Sequence, residues 1–116
     1  MIVSYLKYRR KAQGKYHLHS PLVYDLYEKV LEPCRRDASH ASLDERLKAF
    51  INDNPLIFKS DDVVMIVKDI HRSEQNEADW DRLRADEKVR LSIDCWRFGM
   101  VFIMDRIKKE HYILKV

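Results

Sequence analysis

The residues best placed to do chemistry are Asp69 and His71. They lie in the run Lys68-Asp69-Ile70-His71, directly after an apolar stretch at residues 63–67. Ligands in α/β sheets gather beyond the carboxyl ends of strands. A carboxylate and an imidazole two residues apart there suit acid–base work or one edge of a divalent-metal shell. Two ligands do not complete such a shell, and the Lys68 ammonium beside them opposes a bound cation. The competing structural reading has Asp69 accepting local backbone hydrogen bonds and His71 as an ordinary loop histidine.

A second polar cluster is Lys15-Tyr16-His17-Leu18-His19. Histidines at i and i+2 point to one side of an extended segment, but no carboxylate or cysteine follows at ligand spacing, so the cluster reads as a lead-in to the helix beyond it. Cys34 and Cys95 stand far apart with no CxxC pattern, which fits free thiols in a reducing compartment. Cys95 alternates inward on its strand, as a small hydrophobe does. Five basic residues near the start, Lys7, Arg9, Arg10, Lys11 and Lys15, have no acidic neighbour before Tyr16. With interleaved tyrosines they form a possible basic surface for weak, salt-sensitive nucleic-acid binding. The net charge of +3 is too small to imply nucleic acid by itself. No apolar run approaches the roughly 20 residues of a membrane span, and the expected location is cytoplasmic.

These groups must be positioned by a short chain. The 116 residues suffice for one domain with a modest core. Val3, Leu6 and Tyr5 mark one side of a basic N-terminal helix ending near Gly14. Ser20 offers a cap and Pro21 the first helical position, with Leu22, Val23, Leu26, Tyr27 and Val30 at helical spacing, so a helix is expected over residues 21–31. Residues 33–41 read as a linker. Ser42 and Glu45 form a capping-box signature before a helix faced by Leu43, Leu47, Phe50 and Ile51. The continuous apolar run at 63–67 suits a strand covered on both faces. Ser73 can cap a helix over 74–86 anchored by Trp80 and Leu83. Val89, Leu91, Ile93 and Cys95 alternate as in a half-buried strand, and residues 100–104 and 112–116 supply two more. The expected fold class is α/β, with N-terminal helices and a small mixed sheet. Its first two strands form a parallel unit through the helix, and the later ones enter antiparallel. The expected organisation is a helical segment and linker at residues 1–41 and an α/β region at 42–116, together one domain.

The stretch VMIVKDIHRSEQNEADW (64–80) resembles the late strand, loop and helix of a class I S-adenosylmethionine-dependent methyltransferase found in bacteria of the Bacteroidetes group. VRLSIDCWRFGMVFIMDR and EHYILKV resemble that family's last strands, and YLKYRRKAQGKYHLHSPLVYDLYEKVL its N-terminal helical segment. The resemblance implies the two ends of such an enzyme joined around a deleted centre. The centre would carry the glycine-rich cofactor loop, and this chain has only Gly14 and Gly99. In the family's strand-end pattern Lys68 replaces the first of two acidic residues and Arg72 a tryptophan, leaving Asp69 and His71 as weak remnants of a metal site. The resemblance implies a Rossmann-like sheet with residues 100–104 inserted between the strands at 63–67 and 89–95, and an open outer edge. It further implies no catalytic residues, no bound cofactor or metal of the chain's own, and at that edge a homodimer or protein partner, or else coverage by the N-terminal helices. Two alternatives remain: a methyltransferase component that takes S-adenosylmethionine only when another chain completes the site, and a nucleic-acid-binding module acting through the basic N-terminus.

Overall fold

The computed structural model describes residues 2–12, 20–36 and 40–114, which fall into two compact units. One comprises residues 1–13 and 61–115; the other is essentially residues 14–60.

The second unit is helical. α2 (Pro21–Leu26) begins as its sequence dictates, with the Ser20 hydroxyl accepting from the Val23 amide at 3.3 Å and Pro21 at the first position. It does not stop at residue 31. A π-turn (Tyr27–Leu31) leads into α3 (Glu32–Arg36), so part of the expected linker is helix. The cause is Pro33, which cannot donate to the carbonyl four residues back and whose ring crowds it. Widening the preceding turn, so that the Glu32 amide reaches the Tyr27 carbonyl, lets the chain pass through proline without breaking. α4 (His40–Asn52) starts before Ser42, which therefore lies inside the helix and not at its cap. Val23, Leu26, Val30, Leu31, Leu43, Leu47 and Phe50 are buried. The Asn54 side chain donates to the Phe50 carbonyl at 2.7 Å where α4 ends, and Phe58 meets Phe50 edge-on.

The first unit is an α/β layer. It holds α1 (Ile2–Lys11), β1 (Val63–Lys68), α5 (Glu74–Ala85), β2 (Val89–Asp94), β3 (Phe98–Ile103) and β4 (Glu110–Ile113). The sheet is four-stranded and mixed, in the order β1-β3-β2-β4. β3 lies between β1 and β2, antiparallel to both, which leaves β1 and β2 running the same way. β4 departs from expectation: it pairs parallel with β2. It does run opposite to β3, which it follows, but it crosses to the far side of β2, where that direction is parallel.

Burial also departs from the sequence pattern. β1, apolar enough for a central strand, is an edge strand with Val63 and Met65 exposed at 44% and 39%. β2, whose alternation suggests one wet face, is almost wholly buried, including Ser92 and Asp94. Ile70, Trp80, Val89 and Val101 form a core beneath α5, with Val67, Leu83 and Ile103 packed against it. Tyr8 of α1 is buried, as is Ala12 just past its end, while Leu6 is exposed.

Candidate functional site

Strands β1 and β2 end at the same side of the sheet, and His71 sits there in the β1–α5 loop. Each of its ring nitrogens faces a carboxylate: Nδ1 lies 2.7 Å from Glu77 Oε2 in the first turn of α5, and Nε2 lies 2.6 Å from Asp94 Oδ2 at the end of β2. Carboxylates only accept, so two such bonds need a proton on both nitrogens, which is the imidazolium form. Burial of the ring opposes that charge, but the bonds to Asp94 and Glu77 outweigh it and the pKa is raised.

The face of the same ring is taken as well. Trp96 stacks on His71 with centroids 4.6 Å apart and planes 15° from parallel, a favourable pose for a cation over an indole. Trp96 reaches this place through a backbone φ of 68°, unusual for so bulky a residue. The second Asp94 oxygen pins that conformation by accepting from the Trp96 amide at 2.9 Å. Tyr5 and Tyr8 of α1 close against Trp96 at 5.0 and 5.4 Å, and the Tyr8 hydroxyl donates to the Leu114 carbonyl just beyond β4. One charged imidazole thus joins the β1–α5 loop, α5 and β2, and Trp96 of the β2–β3 turn extends the cluster to α1.

Asp69, the other expected site residue, does not join it. Its side chain is mostly exposed and pairs with Arg72 at 3.7 Å, while its carbonyl accepts from the Asn76 side chain at 2.9 Å. Its φ of 56° turns the chain away from β1 and lets its amide bond the Arg97 carbonyl at 2.8 Å. Asp69 is therefore in the local backbone role, and among the described residues no group of three ligating side chains is arranged for a metal. Burial pushes the Cys95 thiol far up, consistent with its place as a small buried group. Lys7, Arg9, Arg10 and Lys11 are exposed along α1. Lys15, His17 and His19 lie outside the described residues.

Spacing missed a second pair on the sheet. The Ser92 hydroxyl and His111 Nδ1 share a hydrogen bond of 2.7 Å between β2 and β4. Partial desolvation of the imidazole, whose residue is still exposed on its cleft side, and the Arg84 guanidinium lower the His111 pKa to about 4, so near neutrality the ring is uncharged. The pair lines an open cleft of about 380 Å³ with Asp81, Arg84, Lys109 and Glu110. Arg84 is tied to Asp81 at 3.1 Å, and the Lys109 ammonium donates to the carbonyls of Arg84, Asp86 and Val89 at 3.1, 2.8 and 2.6 Å. The Ser92 hydroxyl itself is buried in β2, and its bond to His111 ties β2 to β4. Sequence places Ser92 and Asp94 two apart on one strand, but they fall in the same polar alternation as Arg90, which reads as a solvated face and hides both clusters.

No protein-family model matches the chain, and no curated protein and no solved structure matches it. Among the described residues no helix is long and apolar enough to cross a membrane.

Proposed function

We propose that this chain is a non-catalytic, methyltransferase-like protein that acts by accepting a partner's strand at the outer edge of β1. The observation that carries the reading is the state of that edge. β1 pairs only with β3 among the described residues, yet it is six residues long, apolar and free of proline. An edge of this kind presents a row of main-chain donors and acceptors for strand addition. The order β1-β3-β2 supports methyltransferase-like ancestry, since it is the order the resemblance implies. A non-catalytic role is supported by His71, whose two nitrogens and ring face are engaged by its own chain. Gly99 lies inside β3 and forms no cofactor loop.

A fluorescent peptide spanning residues 60–70 tests the edge. Saturable binding, read as anisotropy and weakened by Met65→Lys, is the expected result; a flat titration overturns the reading. Calorimetry with S-adenosylmethionine tests the absence of catalysis. Stoichiometric heat from the chain alone would overturn that part, and heat only after a copurifying protein is added would favour the two-chain enzyme.

A further inference from the structure

The edge has a property that a general strand acceptor does not need: its sequence is complementary to itself. Residues 62–68 read Asp-Val-Val-Met-Ile-Val-Lys. Turned antiparallel against a copy of itself about Met65, the segment places Val63 opposite Val67, Val64 opposite Ile66, Met65 opposite Met65, and Asp62 opposite Lys68. We propose that the occupant of the β1 edge is a second copy of this chain, paired antiparallel in this register across a two-fold axis at Met65. The proposal rests on the edge reading above and names its partner.

Three observations select this arrangement. Facing residues in a sheet must point to the same side, so a two-fold axis perpendicular to the sheet allows only registers whose paired numbers have an even sum. Among those, centring on Val64 sets Asp62 against Ile66, and centring on Ile66 sets Lys68 against Val64; only Met65 matches charge with charge and apolar with apolar. Second, the exposed apolar residues Val63 and Met65 lie on one face of β1, and the two-fold joins both copies' residues into one stripe. Third, Lys68 is exposed and comes to lie beside the Asp62–Arg106 pair, so at each end of the paired strands opposite charges face one another. Opposed charges and branched apolar pairs across strands are both stabilising. Edge strands that stay single carry charges, prolines or bulges along their length, and residues 63–67 have no charge or proline.

The test joins sedimentation equilibrium of the full chain with cysteine cross-linking in a Cys34→Ser background. Met65→Cys places two thiols on the axis, where facing Cα atoms are about 4.5–5.5 Å apart, within disulfide reach. Val63→Cys is the control, its two copies lying roughly 13 Å apart along the strand. A concentration-dependent dimer that cross-links through Met65→Cys and not Val63→Cys is expected, as is a dimer weakened about tenfold by Lys68→Glu. A dimer cross-linked through Val63→Cys alone, or through neither residue, overturns the register. A chain that stays monomeric while still binding the labelled peptide overturns self-pairing and leaves the edge reading intact. Loss of both overturns both.

Discussion

Gly99 of β3 lies flat against the indole of Trp80 in α5. A Cβ at position 99 would fall 2.3 Å from Cη2 and 2.5 Å from Cζ3 of that ring. The glycine is thus set by close approach of helix and sheet, and its backbone φ is not in the left-handed region. Gly99→Ala should destabilise the chain by about 3 kcal/mol through overpacking, measured as a lower urea midpoint at unchanged slope. Pairing it with Trp80→Leu should cost clearly less than the sum of the two single changes, because the clash disappears with the ring.

The two clustered histidines should give opposite pH dependences. His71 has a folded pKa above its unfolded value, so its contribution is fully present below about 6.5 and is lost as pH rises through the higher folded value. His111 has a folded pKa depressed to about 4. Its contribution is present above about 6.5 and lost as pH falls toward 4. Urea midpoints against pH should therefore separate the variants: His71→Gln removes the loss on the alkaline side, and His111→Gln the loss on the acid side. Identical profiles for the two would refute the assignment.

His71→Ala should cost about 3 kcal/mol near neutral pH, because it leaves Asp94 buried beside a vacancy where a cation stood. A smaller cost is expected for the double variant His71→Ala/Asp94→Asn than for the two single costs added, since the charges are removed together.

Lys109 holds the last carbonyls of α5 and the start of β2 with one ammonium. Lys109→Met keeps the stem and removes the donors, and should cost about 2 kcal/mol. Amide exchange should accelerate first around residues 84–89. Uniform acceleration over the whole sheet would argue that Lys109 has no local role.

At Asp69 the left-handed backbone predicts that Asp69→Gly is neutral or stabilising by up to about 1 kcal/mol and that Asp69→Val is destabilising. Magnesium or manganese should leave the melting temperature of the parent chain unchanged. A rise abolished by Asp69→Gly would restore the metal reading.

What sequence revealed here was local. The Ser20-Pro21 start and the Ser73 cap depend on neighbours three residues apart, and both stand where their spacing puts them. The inserted position of β3 followed from the family resemblance and is found. The burial of β1 is not legible in sequence because an apolar run reports its own character and not its neighbours, and among the described residues only β3 pairs with it. The polar residues of β2 misled for the converse reason. Ser92 and Asp94 are buried at no great cost because His111 and His71 satisfy them, from 19 and 23 residues away. That pairing is set by strand order, which no local period encodes. Helical spacing ends at residue 31 and gives no sign of the π-turn that carries the helix on through Pro33.

The two tryptophans of the chain differ in surroundings: Trp80 is buried and Trp96 half-buried. Trp80 is sealed in the core, its indole N–H without a hydrogen-bond partner among the described residues, so it should emit at short wavelength and respond only to loss of packing. Trp96 lies on an imidazole whose protonation quenches indole emission by electron transfer. Native fluorescence should therefore carry two signals: the Trp96 component follows the charge on His71, while the blue Trp80 component reports whether the sheet is intact.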